Sequence, residues 1–163
     1  ARNEVLDRIL ASQWAADAWE PYPDVEPMLT AVRDAGMRVG IVSDWGSNLR
    51  GILTGLELDR YFDFVLPSGA VGLAKPDPAF YRMALDSAGV SPAEGLMGGD
   101  SYRADVRGAW SAGMDAVWLD RRQGNPRRAR VTEELAEKAE RGELHHNGSM
   151  AGFRRNSDID GTK

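Results

Sequence analysis

The polar residues of this chain that could do chemistry stand just after short apolar runs. Ser43 and Asp44 follow "MRVGIVS", and Ser68 and then Lys75 follow "YFDFVL". Asp100, Ser101 and Asp105 follow "GLMGG", and Asp120 closes "DAVWLD". In an open parallel sheet ligands bind beyond the carboxyl ends of the strands, so runs that form such strands bring these residues to one edge. A hydroxyl, an ammonium and two carboxylates gathered there suit a phosphoryl group accompanied by a divalent cation. Mg²⁺ takes hard oxygen ligands and usually shares substrate phosphate oxygens. Each residue also has a plainer role. Ser43 alone is a turn or cap residue, Asp105 an N-cap of the helix it opens, and Asp77 a cap and nothing more. Asp100 is a turn residue after Gly98-Gly99, although paired glycines also let backbone approach a phosphate. The backbone N–H of Asp44 is a phosphate donor, Trp45 reads as pocket wall or surface, and Trp110 and Trp118 read as core.

The elements that must position these residues are legible from capping and periodicity. Asp24 is placed to cap a helix carrying Val25, Met28, Leu29 and Val32, which Gly36 ends. "MRVGIVS" (37–43) has a strand's length. A helix with Leu49, Ile52, Leu53 and Leu56 follows, opened by Ser47 or Asn48. "YFDFVL" (61–66) is the next strand. Asp77-Pro78 pairs an N-cap with Pro at the first helical position, and that helix runs to Gly89. "GLMGG" (95–99), a helix around Val106 to Ala112, and "DAVWLD" (115–120) complete the series. Strand and helix alternating through short links predict an α/β fold: a doubly wound, Rossmann-like parallel sheet with helices on both faces. Ahead of it, Val5, Leu6, Ile9, Leu10 and Trp14 form one helical stripe, and "WEPYPDV" interrupts the helix, reading as a hinge. After Asp120 the pattern fades into the basic loop "RRQGNPRRAR", a charged helix over 131–141 and an aperiodic tail expected to be disordered.

Composition sets outer bounds. The chain has 163 residues and a formal net charge of -5, with no Cys. That length suits about one domain, and the missing Cys removes disulfides, thiolate metal sites and Cys nucleophiles. Residues 1–120 hold 18 acidic and 10 basic side chains, and residues 121–163 hold 7 and 10. So acidic a body argues against nucleic-acid binding, which needs a basic surface. No apolar run approaches the roughly 20 residues that span a bilayer. A cytoplasmic domain with no membrane partner is the expectation. The arginines at 121, 122, 127, 128 and 130 read as a solvated loop, and His145 and His146 as inert tail residues.

Three motifs in order now carry a resemblance: "VGIVSD" ending in Ser43-Asp44, "VGLAKPDPAFY" with Lys75-Pro76, and "GGDSYRADVRGAWSAGM" with Asp100 and Asp105. The stretch from Tyr22 to Arg121 resembles the core of a haloacid dehalogenase-superfamily hydrolase, of the branch with an early-inserted helical cap. The resemblance divides the chain into a cap remnant (1–20), the core (21–121) and a tail (122–163). It implies that Ser43 hydrogen-bonds the transferring phosphoryl oxygens and that Lys75 neutralises charge on phosphoryl group and nucleophile. It makes Asp100 a Mg²⁺ ligand and Asp105 the second acid, which supports the metal site and orients the lysine. The implied activity is a Mg²⁺-dependent phosphatase, acting on a small phosphorylated metabolite through an aspartyl-phosphate. "GGDSYRAD" resembles the phosphatase type rather than the metal-free dehalogenases.

The departure from the family pattern is as informative. The family's nucleophile is the first Asp of an Asp-x-Asp-Gly-Thr-type motif on the first, central strand, and no such motif precedes Ser43 here. A catalytically inactive fragment or binding module of the same fold is therefore the competing reading, with a dehalogenase or phosphomutase behind it. A sheet without its central strand is expected to self-associate or to accept a donated strand. The C-terminal "SDIDGTK" spells the missing motif, which would make Asp158 a permuted nucleophile and Asp160 its acid/base. Coincidence outweighs that reading, because a central strand there would bury Arg154 and Arg155 at several kcal/mol each.

Overall fold

The computed structural model of the chain describes residues 15–120, 127–129 and 153–155. The apolar stripe of residues 5–14, the charged helix over 131–141, and Asp158 and Asp160 lie outside the described residues. After a 3₁₀ turn at Ala16–Ala18, strand β1 (Trp19–Pro21) leads into helix α1 (Val25–Asp34). Then follow β2 (Gly40–Ser43), α2 (Leu49–Gly55), β3 (Phe64–Pro67), the single turn α3 (Ser68–Val71) and α4 (Pro78–Ala88). β4 (Leu96–Gly99), a π-helical turn (Tyr102–Arg107), α5 (Gly108–Ser111) and β5 (Asp115–Asp120) complete the alternation. Two three-residue strands, β6 (Arg127–Ala129) and β7 (Phe153–Arg155), come last.

The parallel pairings are β2 with β3, register Gly40 to Phe64, and β4 with β5, register Leu96 to Asp115. The chain thus has the α/β, Rossmann-like architecture that its alternation predicts, but in two separate parallel pairs. Among the described residues β2 hydrogen-bonds only β3, and β4 pairs only with β5. Their side chains are correspondingly less covered than expected of central parallel strands. Gly40 is exposed with Ile41 to Ser43 half-buried, and Leu96 is 65% exposed.

Each pair has its own core. Under β2 and β3, Val25 and Leu29 of α1 meet Leu49, Ile52 and Leu53 of α2, with Trp19, Leu58 and Val65. Beside β4 and β5, Tyr81 and Leu85 of α4 meet Ala109 and Met114. Burying each such large side chain is worth about 1.5–3 kcal/mol, so two compact clusters hold the two halves. Helix α4 contacts β2, β3 and α5, and so touches both.

Local chemistry explains the element ends. Asp77 accepts the Ala79 N–H (2.9 Å) and Pro78 opens α4, which Gly89 ends in the left-handed region at φ 66°. Gly36 stops α1 in the same way at φ 76°. Several expectations need correction. Asp24 occupies the N-cap position of α1 without a side-chain capping bond. β2 and β3 start at Gly40 and Phe64, later than the apolar runs, because a 3₁₀ turn occupies Asp59–Tyr61 and the Asp63 N–H is held by Val39 O. The helix expected from Val106 opens at Tyr102, capped by Ser101 rather than by Asp105. Trp110 is 45% exposed, whereas Trp118 is buried. The basic loop and tail each contribute a strand: β6 runs antiparallel to β5, and β7 antiparallel to β1. No helix of the described residues is long and apolar enough to cross a membrane.

Candidate functional site

The site lies where β2 and β4 end. Ser43 is the last residue of β2, half-buried, with Asp44 exposed after it. The turn that follows is pinned by its own backbone, since Trp45 N–H donates to Ser43 O (2.9 Å). The Trp45 carbonyl in turn accepts Gly69 N–H (2.9 Å) and the Ser68 hydroxyl (3.3 Å). Trp45 packs edge-on against buried Trp19, ring centres 5.1 Å apart. Ser68 therefore fastens a loop, a structural role for a residue first noted for its place after a strand.

Lys75 sits in the loop between α3 and α4, and its peptide bond to Pro76 is cis. Its ammonium reaches Asp105 Oδ1 at 2.5 Å, in a pair whose side chains are 12% and 3% exposed. The other oxygen of Asp105, Oδ2, accepts the Ser101 N–H at 2.8 Å. An ion pair this dry needs its remaining lone pairs satisfied, and the Ser101 bond does so. At the main chain, Lys75 N–H donates to Asp44 Oδ1 at 2.8 Å. The structure thus brings Ser43, Asp44, Lys75 and Asp105 to one edge.

Asp105 reaches that position through a tight fold of backbone. Gly99 ends β4 buried, and a Cβ there would collide with the Asp105 carboxylate. Ser101 caps the π-helical turn by accepting Ala104 N–H (3.2 Å), and Asp105 N–H donates to Ser101 O (2.7 Å). π-helical turns are rare and recur at functional sites. Asp100, half-buried between Gly99 and Ser101, has its carbonyl bonded by the Trp118 indole N–H (2.9 Å). Trp118 and Trp110 both meet Tyr102 edge-on.

Tyr81 is a participant the sequence did not announce. It is fully buried on α4, its hydroxyl donates to Ala104 O in the π turn, and Gly108 leaves the space it fills. Burial pushes the phenol well above the ordinary tyrosine range, and the negative charges of Asp105 and Asp44 push it further. The spacing Phe80, Tyr81, Ala84, Leu85 marked a buried face; a phenol on it had to find a polar partner.

Among the described residues no group of three or more His, Asp or Glu side chains stands ready to hold a metal ion. Asp100 and Asp105 are the two carboxylates of the edge after β4. One or two carboxylates completed by phosphate oxygens and water are what Mg²⁺ commonly takes, so the donor chemistry fits in kind.

Two parallel α/β pairs carry a hydroxyl, a lysine and acidic side chains at their carboxyl ends, a Rossmann-like class of arrangement. The chain matches the haloacid dehalogenase-like hydrolase family over residues 1–113 and belongs to it. It is 45% identical over 101 residues to a phosphoserine phosphatase of Thermus thermophilus, covering 61% of this chain and 41% of that protein. It is 40% identical over 114 residues to the mouse (Mus musculus) haloacid dehalogenase-like hydrolase domain-containing protein 3, covering 70% and 45% respectively. Among solved structures, a phosphatase of this family from Thermococcus onnurineus superposes with a TM-score of 0.62 at 34% identity, over 75% of this chain and 57% of that one. The chain spans less than half the length of the curated relatives it matches.

Proposed function

We propose that the intact protein is a Mg²⁺-dependent phosphatase of small phosphorylated metabolites, working through an aspartyl-phosphate. The observation that carries this reading is the dry Lys75–Asp105 pair beyond the end of β4, tied through the Lys75 N–H to Asp44, the residue after Ser43. Similarity to a phosphoserine phosphatase supports the phosphoryl substrate class. In this reading Ser43 and the Asp44 N–H hydrogen-bond phosphoryl oxygens, and the Lys75 ammonium lowers the charge repulsion between phosphate and carboxylates. Asp100 would hold the divalent ion with Asp105 behind it, and the ion when bound would supply further charge neutralisation. A carboxylate oxygen forms a bond to phosphorus as the ester P–O bond breaks, and the leaving alkoxide takes a proton from a general acid. Water then attacks phosphorus, giving a proton back to that acid, and the acyl phosphate is cleaved to phosphate and the restored carboxylate.

The test is hydrolysis of p-nitrophenyl phosphate by the intact protein. Chelator should abolish turnover, and Lys75→Ala should lower it by about a hundredfold or more. Undiminished turnover in chelator overturns the metal requirement, and halide release from a 2-haloacid without phosphatase activity overturns the substrate class.

The source of the nucleophile is a second question, and the edges of β2 and β4, without a strand partner among the described residues, favour one answer. An extended apolar strand lying between them would complete the sheet and end beside Ser43, Lys75 and Asp100. A donated strand, or self-association through these edges, meets that need, and without it the 163-residue chain is a catalytically inactive binding module. An acid-stable, hydroxylamine-labile phosphoryl adduct on the 163-residue chain alone would overturn the inactive reading. Its loss in Asp158→Asn would assign the nucleophile to the C-terminal motif, with Asp160 as acid/base.

A further inference from the structure

Lys75 is held at both of its ends, and by carboxylates that come from different halves of the molecule. Its ammonium is bonded by Asp105, on the π turn after β4, and its main-chain N–H by Asp44, at the end of β2. The two strands do not hydrogen-bond each other, so Lys75 is a tie across the opening between them. The loop that carries it leaves α3 through Gly72 in the left-handed region and closes with the Asp77 N–H to Ala74 O bond. A lysine stem has four rotatable carbons, so the reach of Nζ is set by where the main chain is fixed.

We propose that Asp44 is a positioning residue whose carboxylate, by accepting the Lys75 N–H, fixes the lysine loop against the end of β2. The Lys75 ammonium can then stay on Asp105 while facing a phosphoryl group bound at Ser43. This role differs from the one its backbone suggests. An exposed carboxylate beside an anion site is unfavourable by charge, and its bond to a backbone donor gives it a reason to stand there. The proposal rests on the phosphoryl-binding reading above for its ligand, though not for its geometry.

The 163-residue chain is titrated with inorganic phosphate in the presence of Mg²⁺, and solvent exchange of the Lys75 amide is followed by NMR. Asp44→Ala should weaken phosphate binding about tenfold and speed Lys75 amide exchange by a similar factor, the loss of one charge-assisted hydrogen bond. Asp44→Asn keeps an oxygen acceptor and should restore both to within about threefold. Unchanged Lys75 exchange in Asp44→Ala overturns the positioning role. An Asp44→Asn variant as impaired as Asp44→Ala overturns it too, because charge rather than the bond would then matter. Should phosphate fail to bind the unaltered chain, the phosphoryl reading falls, while the amide exchange still decides the role of Asp44.

Discussion

Asp105 illustrates what a buried charge asks of its neighbours. Its two oxygens are taken by Lys75 and by the Ser101 N–H, and its side chain is 3% exposed. Removing Lys75 leaves that carboxylate dry and without its cation, a change that costs about 3–5 kcal/mol when one partner of such a pair is lost. Lys75→Met should therefore lower the denaturant midpoint markedly. The double variant Lys75→Met, Asp105→Asn should recover most of the loss, because a neutral amide still accepts the Ser101 bond. Equal destabilisation of single and double variants would show that the pair is not the source. At this scale the sequence singles out Lys75 and Asp105, which form an ion pair, and Ser43, whose neighbour Asp44 accepts the Lys75 N–H. It points to the backbone of Asp44 but not to its carboxylate, which accepts the Lys75 N–H, nor to Tyr81, whose partner is a carbonyl 23 residues away. Such partners depend on tertiary contacts that no local spacing encodes. Trp110 was misjudged because an aromatic in a helix pattern reads as core, and α5 is one turn long with that face outward.

Short elements here are held by specific contacts more than by propensity. β4 ends in Gly99 because the Asp105 carboxylate lies where a Cβ would project. Gly99→Ala should displace Asp105 from Lys75, destabilise the chain by about 1–3 kcal/mol, and weaken phosphate binding alongside. A chemical denaturation curve with the same midpoint as the parent would show that the π turn yields without cost. Between α1 and the strands, the Asp63 carboxylate accepts the Val39 N–H and the Arg33 guanidinium, both at 2.7 Å. The Val39 bond, and then the Arg33 bond, hold Asp63 below the ordinary carboxylate range. A depressed folded value means stability that is complete above the unfolded pKa of about 3.9 and is lost as pH falls through the lower folded value. Replacing Asp63 with Asn should lower the melting temperature at neutral pH and flatten the acid limb of its pH profile below about pH 4, where variant and parent converge. An unchanged acid limb would assign it to other carboxylates. Element existence was readable from capping signals such as Asp77-Pro78 with Gly89. The starts of β2 and β3 were not, since Asp63 and the 3₁₀ turn at Asp59–Tyr61 trim apolar runs that look like longer strands.

At the scale of the whole molecule, two parallel pairs with separate cores are joined by α4 and by the Lys75 tie, and the edges of β2 and β4 carry no strand partner among the described residues. Parallel strands are ordinarily buried on both faces, and open edges are templates for pairing with another chain. Each backbone group left without a partner where water cannot reach it costs about 1–3 kcal/mol. The opening therefore favours any extended segment that can fill it, and in the 163-residue chain alone the most concentrated source is another copy. Size-exclusion chromatography with light scattering over increasing protein concentration should show a shift from monomer to larger species. Leu96→Lys, placed on the 65%-exposed position of β4, should oppose that shift, since charged edge residues disfavour strand addition. Filling the opening should act oppositely on stability: a longer form of the protein that supplies a strand there should stay monomeric and melt at higher temperature. A 163-residue chain that remains monomeric at all concentrations, with a sharp and reversible two-state melt, would mean that the two halves close on each other without a third strand.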